Sequence, residues 1–128
     1  MNNPDGLYYT KTHEWAKQQG KEVLVGITDH AQQELSDVVF IELPKVGRVV
    51  KAEEACAVVE SVKAAFDIYA PVSGKVVRID TALEKDPALV NKDPYGEGWF
   101  YALEAADPKE ISKLMNKTQY EQFLKTSG

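Results

Sequence analysis

Hydrophobic and polar positions alternate through most of the first hundred residues, and the period changes near residue 107. In KEVLVGI at 21–27, Val23, Val25 and Ile27 fall every second position, which places them on one buried face of a strand. HEWAK at 13–17 lies across the turn-like QQG from it and reads as a second strand. Thr28 or Asp29 supplies a side-chain oxygen to cap a short helix through about Leu35. VVFIEL at 38–43 is a strand stopped by Pro44. Residues 55–61 and 65–70 make two more, separated by the neighbourhood of Lys63, and 75–79 and 99–103 complete the set. Residues 80–98 hold Pro87, Pro94, Gly96 and Gly98 and read as loop, with one helical turn at 81–85.

From residue 107 the apolar spacing becomes helical. Asp107, Pro108 and Glu110 form a capping-box-like start, followed by Ile111, Leu114 and Met115 on one face. Thr118 with Glu121 repeats that signature, and Tyr120, Phe123 and Leu124 make the stripe behind it. Two short helices are therefore expected to pack on a β core of about residues 7–105, as a segment over about 107–125 of one domain spanning 1–128.

The chain also repeats itself. PKVGRVVK at 44–51 matches PVSGKVVR at 71–78, and Ile41 and Ile68 keep the same offset of 27. Two copies are too few for a solenoid. They suggest two similar halves of one β sandwich, with Lys63 in the connection between them.

Composition narrows the function classes. A chain of 128 residues suffices for one domain with a real core. The net charge of −5, with no long basic cluster, argues against nucleic acid or anionic lipid as the main partner. Apolar runs stay far shorter than a membrane span. The N-terminus MNNPDGLYYT is polar and carries no leader pattern, and the single Cys56 forms no internal disulfide. A cytoplasmic location is expected, or a mitochondrial matrix one if a transit peptide has been removed.

A conventional active site is not visible. His13, His30 and Cys56 are far apart in sequence without ligand-like spacing, so no zinc site is expected. Cys56 in AEEACAVV reads as a small buried hydrophobe. His13 and Glu14 are neighbours whose side chains should face opposite ways. What remains is Lys63 in ESVKAAFDIYAPVSG at 60–74, between two strand-like segments. It is either a solvated lysine at a hairpin tip or a chemical handle. The tip lacks the Asn-Gly or Asp-Gly of a tight hairpin, and the small Ala64 and Ala65 leave room for a modifying enzyme.

ESVKA at 60–64 followed by APVSG at 70–74 resembles the lipoyl-attachment segment of the glycine cleavage H proteins. HEW at 13–15, VGITDHAQ at 25–32, DVVFIELPKVG at 37–47, NKDPYGEGW at 91–99 and YEQF at 120–123 extend that resemblance, in order, over nearly the whole chain. It implies a mainly β barrel-sandwich hybrid with short flanking and C-terminal helices, which the internal repeat favours on its own. It implies lipoate in amide linkage to Lys63, with Glu60, Ser61, Val62 and Ala64 forming the tip that a lipoate-attaching enzyme reads. Thr12, Glu14 and Asp67 match positions of a cleft that shelters the loaded arm. Without the resemblance they are a strand-edge hydroxyl and two surface acids. Three positions depart from the family pattern. Ser36 replaces a usual Gly, so a backbone site of positive φ is either absent or strained here. Phe66 replaces a smaller polar residue, which bears on the cleft or a partner contact. Glu34 sits at a variable position and carries no inference.

The resemblance implies a non-catalytic carrier rather than an enzyme. A pyridoxal-phosphate glycine decarboxylase would load an aminomethyl group on the arm. A tetrahydrofolate-dependent aminomethyltransferase would unload it, and dihydrolipoyl dehydrogenase would reoxidise the dithiol. Glu14 and Asp67 would hold the labile cation away from water. A carrier that visits several enzymes is expected to be monomeric with transient contacts. Other readings are a lipoyl-relay donor to other complexes, a biotinyl carrier, which Val62 and Ala64 oppose, an enzyme using Glu14 or Cys56, and an interaction module.

Overall fold

The computed structural model describes residues 3–126. Nine strands form two antiparallel sheets among the described residues. The larger contains β1 (Tyr8–Tyr9), β2 (Glu14–Gln19), β3 (Glu22–Ile27), β5 (Val49–Val50), β8 (Gly74–Ile79) and β9 (Tyr101–Ala105), in the order β1-β2-β3-β9-β8-β5. The smaller contains β4 (Val38–Glu42), β6 (Ala55–Ser61) and β7 (Ala65–Tyr69), in the order β4-β6-β7. The mainly β expectation holds.

Alternation explains the core. Val23, Val25 and Ile27 of β3 point into it, with Ile41, Val59, Ile68, Val76 and Leu103 arriving from the other strands. Leu24 faces the opposite side of β3 and joins a second cluster of Leu7, Tyr9, Trp15 and Tyr120. Both faces of the larger sheet are thus covered, the outer one by the two chain ends.

Turn chemistry sets the first hairpin. Gln19 pairs with Glu22, so Gly20 and Lys21 make a two-residue turn, and Gly20 takes the left-handed φ of 60° that such turns require. The pairing then runs out to Glu14 opposite Ile27.

The repeat has a concrete meaning. β5 and β8 belong to its two copies and pair with each other, Val49 with Lys75 and Val50 with Gly74. Val76 N–H donates to Arg48 O at 2.8 Å, the reciprocal of the Val49–Lys75 match once the offset of 27 is applied. Ile41 and Ile68 lie on β4 and β7, the two strands that flank β6.

Several boundaries differ from expectation. β1 and β5 are two-residue strands that exist only because a distant partner fixes them. The last strand begins at Tyr101, later than expected, although Phe100 N–H already meets Val25 O at 2.7 Å. Helix α1 (Asp29–Leu35) is capped by Thr28, whose hydroxyl accepts from Ala31 N–H, and α2 (Thr81–Lys85) is the expected turn. A further helical turn, α3 (Leu89–Lys92), lies within the segment expected as loop.

The tail is one 3-10 segment, Pro108–Lys113, and one helix, α4 (Lys117–Thr126). Asp107 caps the first, accepting from Lys109 N–H. Glu110 does not close the box. Its carboxylate reaches the body of the fold and accepts from Ser73 N–H. In α4 the box belongs to Asn116 and Gln119, each of whose side chains accepts from the other's N–H at 2.9 Å, while Thr118 lies inside the helix. Asn116 wins because it stands just ahead of the first helical residue.

Ser36 ends α1 at φ 64°, ψ −144°, a region that glycine enters freely and serine does not. The strained alternative is therefore the correct one. Ser36→Gly is expected to stabilise the fold by about 1 kcal/mol, read as a higher urea midpoint at unchanged slope. A lower midpoint would mean that serine contacts outweigh the strain.

Candidate functional site

Lys63 stands at the apex of the β6–β7 hairpin. The turn is closed by Ser61. Its N–H donates to Ala64 O at 2.8 Å, and its Oγ accepts from Lys63 N–H at 3.2 Å and from Ala64 N–H at 3.3 Å. A serine hydroxyl thus replaces the usual Asn-Gly chemistry. Val62 N–H donates to Asp37 O at 3.2 Å and anchors the apex to the approach of β4. Val62, Lys63, Ala64 and Ala65 are all exposed, Glu60 is half-buried, and Ser61 is buried. The tip offers an exposed amine beside two small side chains on a hydrogen-bonded turn. Ser61 contributes by shaping it rather than by presenting its hydroxyl.

Behind the tip, Asn91 clamps α1 to β4. Its amide donates to Gln32 Oε1 at 3.1 Å and to Ser36 O at 2.7 Å, while its Oδ1 accepts from Val38 N–H at 2.9 Å. A polar residue in a loop-like stretch carried no sequence signal of this role.

Glu14, a cleft position by resemblance and otherwise readable as a surface acid, is 1% exposed and lies on the wall of a cavity of about 500 Å³. The Thr10 and Thr12 hydroxyls both donate to its Oε1 at 2.5 Å, and Tyr69 N–H donates to its Oε2 at 3.2 Å. Burial pushes its pKa above the ordinary carboxylate value, and these three hydrogen bonds pull the other way. Thr12, Tyr69, Pro71, Lys113 and Met115 share the wall. The expected grouping of Thr12 with Glu14 is thus present in space. Asp67 is exposed on β7, two residues before Tyr69, and is not on that wall. Phe66 is half exposed and also lies off it.

The polar donors and the buried carboxylate suit a cationic or hydrogen-bonding guest. The cavity falls within the usual range for small-molecule sites. β7 links the two features, beginning two residues after Lys63 and ending at Tyr69.

Cys56 is buried, with Sγ 3.0 Å from the Tyr101 hydroxyl, and burial pushes its thiol pKa up. That disfavours the thiolate a nucleophile needs.

The two histidines, far apart in sequence, meet in space. Their ring centroids are 4.4 Å apart, a proximity that their sequence spacing does not indicate. The β2–β3 hairpin does this. Glu14 opposite Ile27 places His13 beside Thr28, whose N–H donates to His13 O at 3.0 Å, and His30 follows on α1. The register around Gly20 was a usable signal for that approach. His13 lies just before β2 at a left-handed φ of 71°, so strand alternation does not set its direction; its ring faces α1 and α4 while Glu14 faces the cavity.

Comparison with known proteins bears on the family and the fold. The sequence model of the family described as Glycine cleavage H-protein matches residues 7–127. A glycine cleavage system H protein of Thermus thermophilus is 56% identical over 128 residues, covering 100% of both chains. One from Acinetobacter baumannii is 53% identical over 97% of this chain and 100% of its own. The crystal structure of a glycine cleavage system H protein from Mycobacterium marinum superposes with a TM-score of 0.86 at 37% identity, covering 98% of this chain and 99% of that one. A match over nearly the full length, in sequence and in fold, places this chain in the glycine cleavage H-protein family.

Proposed function

We propose that Lys63 is the attachment point of lipoate, in amide linkage to its Nζ, and that residues 1–128 act as one carrier domain. As a family member the chain is the lipoyl carrier of glycine cleavage. The observation that supports Lys63 is its position, exposed at the apex of a turn that Ser61 holds in one shape. An attaching enzyme needs an accessible amine in a reproducible setting. Glu60, Val62 and Ala64 supply its immediate surface.

When bound, lipoate supplies a dithiolane whose sulfurs exchange between disulfide, thiol and carrier forms. The protein's own residues position and shelter. Thr10 and Thr12 fix the Glu14 carboxylate at the cavity wall, and Tyr69 N–H holds its second oxygen. A fixed carboxylate in a partly dry site attracts an ammonium-like group more strongly than one in water does. Asp67 sits on the strand between tip and cavity and adds negative charge along that route.

The finer assignments belong to the same reading. The chain is a non-catalytic subunit that serves a pyridoxal-phosphate glycine decarboxylase, a tetrahydrofolate-dependent aminomethyltransferase and dihydrolipoyl dehydrogenase in turn. It works as a monomer in the cytoplasm. Buried Cys56 and sheltered Glu14 favour a carrier over an enzyme that uses either of them.

Intact mass after co-expression with a lipoate-attaching enzyme and lipoate tests the site. One lipoyl adduct per chain is expected, mapping to the peptide that contains Lys63. An unmodified chain, or an adduct on another lysine, would overturn the assignment.

A further inference from the structure

His13, His30 and Glu34 lie outside both the hairpin tip and the Glu14 cavity. One ligand atom from each lies within 4.8 Å of the other two. His30 and Glu34 are one turn apart on α1, with Nε2 and Oε1 2.6 Å apart. The His13 ring packs against His30 at 4.4 Å with a tilt of 38°.

Imidazole nitrogen is the commonest protein ligand of transition metals. The surroundings hold the His13 ring in place. His13 adopts a left-handed φ of 71°, and its Nδ1 lies 2.8 Å from the Tyr120 hydroxyl. That hydroxyl lies 2.9 Å from Thr28 Oγ1. In the tautomer that carries its proton on Nδ1, that nitrogen donates to the Tyr120 hydroxyl and Nε2 carries the lone pair. An outer partner on the second ring nitrogen is the arrangement that orients metal-binding histidines.

We propose that His13, His30 and Glu34 form a binding site for a divalent transition-metal ion of the zinc type. Two imidazoles and one carboxylate match that ion, with the remaining position taken by water. Tetrahedral coordination at ordinary bond lengths needs ligand atoms about 3.3 Å apart. Glu34, 66% exposed, and His30, 23% exposed, are free enough to close the present spread by side-chain rotation. The ion takes the place of the direct His30–Glu34 contact and ties the turn before β2 to α1. Tyr120 extends the tie to α4. His13 lies between Thr12 and Glu14, so occupancy also braces the rim of the cavity.

Zinc titration of the full chain tests this. The protein carries no polyhistidine tag, is stripped with EDTA, and is followed by calorimetry and thermal unfolding beside His30→Ala and Glu34→Gln. These variants alter accessible side chains and leave the His13–Tyr120 contact intact. One ion per chain is expected in the wild type. At saturation the melting temperature should rise by about 5–10 °C, and EDTA should reverse the rise. Each variant should bind at least about tenfold more weakly. The absence of saturable binding up to about 100 μM zinc would overturn the site. So would wild-type affinity in either variant, since a three-ligand site needs both.

Discussion

Lys63→Arg is expected to abolish lipoyl loading and to reduce glycine cleavage by about a thousandfold or more, while leaving the fold intact. The side chain is exposed at the hairpin apex, and the turn is built from the backbone of residues 61–64 and the Ser61 hydroxyl. Arginine keeps the charge and the length, so tip and surface potential persist. It cannot form the amide, because a guanidinium stays protonated and is not an acyl acceptor. Intact mass should show no adduct, thermal unfolding should match the wild type, and the reconstituted system should not turn over. Turnover retained at a substantial fraction of the wild type would place the carrier function on another group. Melting lowered by several degrees would show that Lys63 also holds the turn. Ser61→Ala distinguishes geometry from anchor chemistry. It leaves the amine in place but removes the acceptor for two N–H groups, so slower loading without complete loss is expected.

Gly26→Ala is expected to cost roughly 3 kcal/mol of stability, a large loss for the addition of one methyl group. Gly26 sits opposite Trp15 in the β2–β3 pair. A Cβ there would lie 2.5–2.7 Å from three atoms of the Trp15 indole, Cζ2, Cε2 and Nε1. The ring is 1% exposed and cannot swing into solvent without loss. Its Nε1–H donates to Pro94 O at 2.9 Å and so holds the 93–99 loop against the sheet. Moving the indole breaks that bond and leaves a buried donor unpaired. Urea unfolding should show a clearly lower midpoint at unchanged slope, and melting should fall by roughly 10 °C. A loss below about 0.5 kcal/mol would mean that the indole relocates freely and that the contact is not a constraint.

Much of this molecule is legible in its sequence. The alternation in β3, the β6 and β7 runs around Lys63, and the Thr28 cap are local effects. Each depends on residues within a few positions of one another, and each appears where expected. The motif around Lys63 is local for the same reason, since an attaching enzyme reads a short exposed turn. Strand periodicity gives the mainly β class and the repeat suggests two similar halves, while the barrel-sandwich hybrid is what the family resemblance implies.

Tertiary structure decided the rest. β1 and β5 have too few residues to announce themselves, and distant strands define them. Without the resemblance, Glu14 reads as a surface acid because nothing local says that Thr10, Thr12 and Tyr69 converge on it. The same holds for Asn91 and for the meeting of His13, His30 and Glu34. Asp67, assigned with Glu14 by motif, is not on the cavity wall, because its side chain lies on an exposed part of β7. Sequence alone therefore determined the mainly β character and the strand runs on either side of Lys63, which rest on short-range periodicity. Which polar groups are buried, paired and brought face to face depends on strand register and on the packing of both chain ends over the sheet. Those contacts join residues far apart in the chain, and no local pattern encodes them.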